Sequence, residues 1–240
     1  MALVGTLINV LTVLVGGLLG TFMGTRLPEK MRQTVVHGLG LVTAVVGMQT
    51  AFATHNVILI MGSVLVGGIL GEWARIEDHL EGLGDWLENR FGSQHDERSI
   101  TRGFVTASLV FCVGPLTVVG SIQDGLTGDY TMLAIKSVLD GFAALAFAAS
   151  MGPGVLLSIL TIVAVQGGLG LAAMGLGGAL GAVTRTTPWV VEMSAAGGVL
   201  MLGISLLLLD LRRIRVANLL PAVIIAPAVQ VALQALGLAA

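Results

Sequence analysis

The sequence predicts an all-α integral membrane protein of about eight transmembrane segments, with an inverted internal repeat and central helices broken by Gly-Pro pairs. Three observations lead there. Of the 240 residues, 55% are hydrophobic and 11% charged, against roughly a quarter charged in soluble domains. That is more apolar surface than a core of this size can hide. Apolar runs approaching the roughly 20 residues a bilayer requires recur near 3–25, 34–54, 56–73, 101–122, 131–151, 154–182, 189–210 and 215–238. Finally, "GFVTASLVFCVGP" (103–115) aligns without a gap on "GFAALAFAASMGP" (141–153), and both end in Gly-Pro.

The first run, "MALVGTLINVLTVLVGGLLG", has no basic leader and no clear small-residue cleavage site. It reads as a spanning helix rather than a signal peptide. Glycine supplies 34 residues, and Gly16, Gly20 and Gly24 recur every four residues along one face. In lipid, such a stripe lets two helix backbones approach closely. Basic residues set the orientation. Arg26, Lys30 and Arg32 follow the first run; Arg75, Arg90, Arg98 and Arg102 lie between the third and fourth; Arg212, Arg213 and Arg215 lie between the seventh and eighth. All three clusters fall inside if eight helices span and both termini are outside, with Arg185 the one dissenting charge.

Between the third and fourth runs, 73–97 is of another kind. Trp73, Ile76, Leu80, Leu83, Leu87 and Phe91 recur at three- and four-residue spacing, opposite Glu77, Asp78, Glu81, Asp85 and Glu88. This is an amphipathic helix. Its acidic polar face suits an interfacial or partner-docking element, or a solvated connector, better than a grip on anionic lipid. The sixth run, 154–182, is too long for one simple span and is expected to tilt, kink or be partly re-entrant.

Two repeats organise the chain. "INVLTVLV" (8–15) resembles "LSILTIVA" (157–164), with Asn9 on Ser158 and Thr12 on Thr161. A two-residue shift then places Gly16-Gly17 on Gly167-Gly168, Gly47 falls on Gly203, and 57–66 falls on 216–225. The units begin at the first and sixth segments. An odd shift inverts the second in the membrane, as in many secondary transporters and in some channels. The division that follows is 1–73 (first three-helix repeat), 74–100 (cytoplasmic amphipathic connector), 101–153 (central Gly-Pro-interrupted pair) and 154–240 (second three-helix repeat). The Gly-Pro pairs mark helix breaks, tolerated at membrane depth where backbone is buried or lines a wet cavity. Ordinary kinks in packed helices are the competing reading. Exposed backbone at Gly114 and Gly152 is available to a ligand if the breaks are central.

Polar groups at membrane depth require an explanation. Lys136 and Asp140 are four residues apart and share a helix face, as a structural ion pair or as a proton- or cation-responsive site. Ser121, Gln123 and Asp124 follow the first Gly-Pro pair, as a loop cap or as an outward vestibule attracting cations. Asn9, Gln49, Ser158, Thr161 and Gln166 fit interhelical hydrogen bonds. Glu192 fits a carboxylate near a helix N-terminus at the interface. His37 and His55 lie near segment ends and do not suggest metal binding. Cys112 is the single cysteine, so no disulfide within the chain and no thiolate metal spacing arises.

The stretch "CVGPLTVVGSIQDGLTGD", with "GTLINVLTVLVGGLLG" near the N-terminus, resembles the YqgA/YdfK-like uncharacterised bacterial membrane proteins, the domain-of-unknown-function-554 family. The likeness covers nearly the whole chain. It implies a bacterial inner-membrane protein and implies no activity.

A formal net charge of −2 argues against nucleic acid as a partner. The sequence has no nucleophile elbow, no His-Glu-x-x-His and no phosphate loop, so neither an enzyme nor a cofactor is expected. The leading expectation is a secondary transporter of a small solute or ion, with Asn9, Gly114, Ser121, Gln123, Asp124, Lys136, Asp140 and Gly152 at its site. The alternatives are a non-transporting scaffold or sensor acting through 73–97, and a passive channel. Lipid is the expected partner, and the Gly-rich faces leave room for a homodimer.

Overall fold

A computed structural model describes residues 3–91, 100–176 and 183–237, and these are helical with short connections. The helices are α1 (Val4–Gly24), α2 (Glu29–Ala51), α3 (Val57–Trp73), α4 (Ile76–Phe91), α5 (Ile100–Val113), α6 (Pro115–Thr127), α7 (Thr131–Met151), α8 (Gly154–Leu157), α9 (Ile159–Ile162), α10 (Gly168–Leu176), α11 (Pro188–Leu208) and α12 (Pro221–Ala235). Six stretches are long and apolar enough to cross a membrane: α1, α2, α7, α11, Gly154–Gly175 and Val216–Ala235. The number rises to eight if each of two bent pairs, Val57–Trp73 with Ile76–Arg90 and Ile100–Cys112 with Leu116–Thr127, counts as one span. The end of the long sixth run, 177–182, lies outside the described residues.

The chain packs as two compact units. The first comprises Met1–Leu39, Glu81–Cys112 and Leu116–Val183, and its spine is α1 against α7. A side chain at Gly16, Gly20 or Gly24 would collide with the backbone of Gly141, Leu145 or Ala149 respectively. The three glycines are therefore a flat face on which α7 lies in van der Waals contact. The contacts ascend together along both helices, so α1 and α7 run parallel. Gly17 packs on Leu156, at the start of the sixth segment. Phe104, Phe111, Leu133, Phe147 and Ile162 fill the unit's apolar interior.

The two Gly-Pro pairs interrupt helix in different places. Between α5 and α6 the axis turns by 62°. A side chain at Gly114 would meet nothing within 4 Å. Pro115 has no N–H to give the Phe111 carbonyl four residues back; the Thr117 hydroxyl donates to that carbonyl instead, at 2.9 Å. The second pair ends α7 and starts α8. Gly152 has φ 88° and ψ −166°, and its N–H closes the helix on the Ala148 carbonyl. That backbone suits glycine, and it makes Gly152 a turn between two spans rather than a break inside one.

The sixth segment is wound unevenly. Between α9 and α10, Val163–Gly167 adopts π-helical winding, which accommodates an extra residue in the turn. This is where the sequence repeat slips by two residues, between Thr161 and Gly167.

The second unit comprises Gly40–Leu80, Val113–Pro115 and Thr184–Ala240. Here α3 packs antiparallel to α12 and α2 antiparallel to α11. A side chain at Gly47 would lie 2.9 Å from the Gly198 carbonyl, and one at Gly67 would strike Ala222. Leu59, Ile60, Ala195, Ala196, Ala222 and Ala226 form its core. Polar clamps hold both ends. Glu192, expected near an interface, is buried; its carboxylate accepts from the Thr54 hydroxyl at 2.5 Å and from the His55 N–H at 3.1 Å, tying down the α2–α3 turn. At the other end Arg215 pairs with Glu72 and Asp78. Glu77, expected on the polar face of α4, is buried there. It accepts from the Ala217 N–H, while its own N–H donates to Asn218 Oδ1, both at 2.8 Å.

Candidate functional site

The first unit concentrates polar side chains where lipid-soluble helices should have none. Thr6, Asn9, Thr106, Ser108, Thr117, Ser121, Asp124, Lys136, Ser137, Asp140, Ser158 and Gln166 are all buried. Two of the hydroxyls return to their own segment: Ser137 donates to the Leu133 carbonyl, and Ser158 to that of Val155. The charged groups and amides do not, and they define the site.

Its centre is an ion pair held by α1. Lys136 and Asp140, one turn apart on α7, join directly, and the Asn9 amide donates to Asp140 Oδ2 at 3.0 Å. The α1–α7 packing delivers Asn9 here, because the glycine stripe below it fixes the register. Burying two ions costs several kcal/mol each before their attraction is counted, and pairing offsets that cost. Nearby, the Thr161 and Ser108 hydroxyls lie 2.9 Å apart, and Thr161 neighbours the Cys112 thiol.

A second carboxylate lies toward the start of α1. Asp124 Oδ2 accepts the Gly5 N–H at 2.9 Å. The first N–H groups of a helix have no partner within it, and they attract negative charge, so Asp124 caps α1 from α6. Its other oxygen, Oδ1, has no hydrogen-bond partner among the described residues; the same holds for Asn9 Oδ1, Ser121 Oγ, Thr6 Oγ1 and both amide atoms of Gln166. Buried polar atoms are normally satisfied, which makes this group unusual. Ser121 precedes Asp124 by one turn, and Thr6 and Asn9 follow Gly5 within a turn. Gln166 sits on the π-helical winding one turn before Gly170, where a side chain would meet Leu3 at 2.7 Å and the Ser121 carbonyl at 3.5 Å.

The structure therefore joins Asn9, Lys136 and Asp140 directly and brings Ser121 and Asp124 to the neighbouring end of α1. Gln123 turns away: its amide donates to the Val183 carbonyl at 2.9 Å and fastens the loop that precedes α11. Gly114 lies at the bend with open space beside it, while Gly152 is three turns beyond Asp140, about 18 Å along α7. Sequence reasoning gave Gln166 an interhelical hydrogen bond and left it out of the site; its signal was the two-residue slip in the sequence correspondence. Among the described residues, no three His, Cys, Asp or Glu side chains gather as metal ligands.

The chain is similar over 239 residues to the uncharacterized membrane protein YdfK of Bacillus subtilis (strain 168), at 26% identity and with 98% of each chain covered. It is similar to the uncharacterized protein YqgA of Escherichia coli (strain K12) at 29% identity over 226 residues, 93% of this chain and 94% of that one. No solved structure matches it. The length of those alignments, the multi-pass helical fold and a family profile matching residues 4–231 lead to one conclusion: the chain belongs to the DUF554 family of proteins of unknown function.

Proposed function

We propose that the protein is a secondary transporter of a small solute or ion in the bacterial inner membrane, working through the polar interior of its first unit. The observation that carries this reading is the buried Lys136–Asp140–Asn9 constellation beside polar atoms with no partner. A purely structural ion pair needs only its own hydrogen bonds. It does not call for a second buried carboxylate and two amides with free acceptors. Charges at membrane depth that face protein interior mark ion and substrate paths in general.

An inverted repeat, the arrangement that the sequence correspondence suggests, would fit the same reading. Under the sequence correspondence, α2 is the counterpart of α11 and α3 of α12, and each pair packs antiparallel, as a two-fold axis in the membrane plane would require. The local pattern repeats as well: Thr12 donates to the Asn9 carbonyl at 3.0 Å, and Thr161 to that of Ser158 at 2.7 Å. The arginine clusters favour both termini outside. No catalytic constellation competes, so the reading is non-enzymatic.

The test is flux in proteoliposomes over ions, amino acids, carboxylates and sugars, with Asp140→Asn and the double variant Lys136→Met/Asp140→Leu. Substrate movement should be lost in both. Wild-type flux in the folded double variant would make the pair structural and remove it from the site. A scaffold or sensor reading draws on α4, where Leu83 and Trp86 are exposed. It expects loss of a partner when α4 is replaced and no effect from the polar interior.

A further inference from the structure

We infer that Asp124, Ser121, Thr6 and Asn9, with Gln166 beside them, form a binding site for a dehydrated monovalent cation of the sodium class at the start of α1. The inference rests on the transport reading and names the ion that such a site would take.

Charge comes first. The buried side chains of the first unit that can carry a charge, among the described residues, are Asp124, Lys136 and Asp140. Lys136 and Asp140 pair with each other, leaving Asp124 Oδ1 without a partner among the described residues. Only one oxygen of that carboxylate is used, by the Gly5 N–H. A bare carboxylate in an interior of low dielectric is costly unless a counter-charge reaches it. One positive charge balances it. A divalent ion would carry one charge too many for a single carboxylate, and among the described residues no three His, Cys, Asp or Glu side chains gather as metal ligands.

Donor chemistry comes second. Asp124 Oδ1, Asn9 Oδ1, Ser121 Oγ and Thr6 Oγ1 are oxygens with no hydrogen-bond partner among the described residues. Asn9, Ser121 and Asp124 are at most 1% exposed. Asn9 is held in one orientation because its amide nitrogen is committed to Asp140, which turns its oxygen free of the ion pair. A proton on Asp124 could serve one acceptor besides itself. An oxygen-seeking cation serves all four, and Gln166 Oε1 is a fifth of the same kind.

The third point is coupling. Asn9 contacts the Lys136–Asp140 pair through its nitrogen and offers its oxygen to the cation. Occupancy at Asp124 is thereby linked to the pair by one side chain, with no moving element needed to carry the signal.

The experiment measures thermal unfolding of the full chain in lipid nanodiscs, with sodium chloride replaced stepwise by choline chloride at constant ionic strength and pH, then with lithium and potassium. Sodium should stabilise saturably. Asp124→Asn keeps the acceptor for Gly5 but loses the charge, and it should weaken sodium affinity at least about tenfold. Thr6→Val and Ser121→Ala should weaken it by a few fold, read as the sodium-dependent shift above each variant's own choline baseline. No alkali-cation dependence between pH 6 and 9 overturns the inference. So does a stabilisation that follows pH alone and is equal in choline, because the site then takes a proton. A sodium response unaltered by Asp124→Asn, Thr6→Val and Ser121→Ala overturns it as well. Flux separates the two proposals: saturable sodium binding without movement of sodium or any solute removes the transporter and keeps the site. Solute movement that is indifferent to sodium does the reverse.

Discussion

Pro115 shows how one residue's chemistry is answered by another. It removes the donor that would satisfy the Phe111 carbonyl, and Thr117, two residues on, supplies a hydroxyl in its place. The carbonyl freed by the break is thus consumed and is not a ligand. Thr117→Val keeps the shape and strands the carbonyl. An unsatisfied buried group costs about 1–3 kcal/mol, so the variant should melt earlier, and Thr117→Ser should recover most of the loss. At the centre, Asp140→Asn strands the Lys136 ammonium, and removing one partner of a buried pair costs about 3–5 kcal/mol. The uncharged Lys136→Met/Asp140→Leu variant should recover that stability without recovering flux, and urea or thermal unfolding beside the transport assay separates the two effects. Outside the membrane, Asp129 takes hydrogen bonds from the Thr131 side chain and backbone, which hold its carboxyl below the ordinary carboxylate range. A depressed folded value means that its stabilisation is present above the unfolded value and fades as pH falls through the folded one. Protection of the α7 N-terminus in hydrogen exchange should drop in acid, and Asp129→Asn should abolish that acid dependence.

Among the elements, the α1 stripe was legible because glycine at four-residue spacing has one cheap explanation in lipid, a flat contact face. Its partner was not, since nothing local in α7 announces that Gly141, Leu145 and Ala149 present backbone to it. Gly20→Leu should separate the two helices and displace Asn9 from Asp140. The measured result would be lower thermal stability together with lost flux, whereas Gly62→Leu, at a position with open space, should change neither. The Lys136–Asp140 pair was readable from its spacing alone. The join from Asn9 to that pair was not, because it depends on which helix α1 chooses. The winding at Val163–Gly167 was half visible: the repeat slipped there, but an insertion does not say whether a loop or a π turn absorbs it. Glu192 and Glu77 were misplaced for a common reason. Each is satisfied by backbone N–H groups distant in sequence, from His55 and Ala217, and side-chain periodicity cannot see those.

For the whole molecule, the helix directions constrain the crossing number. Helices α1 and α7 run parallel, so the chain must cross the membrane an odd number of times between them. Helix α2 alone supplies one crossing, and counting the two bent pairs, α3 with α4 and α5 with α6, as one span each makes three; both numbers are odd. The same alternation makes α2 opposite to α11 and α3 opposite to α12, as found. Single cysteines at Gly128 and at Arg212, in a Cys112→Ala background, should therefore label from opposite sides of intact cells. An impermeant maleimide should reach position 128 and not 212 if the termini are outside.

The pairing of α1 with α7 also bears on how the protein is made. Of the two helices α1 is made first, with a face shaped for a partner that is synthesised about 125 residues later, which at about 5–20 residues per second is roughly 6–25 s. During that interval the glycine stripe lies open in the bilayer, next to whatever helices happen to be there. Chains halted before Met151 would hold α1 without its mate, so cellular quality control should recognise such fragments by an unpaired first helix. Full-length chains would escape it at the moment α7 arrives.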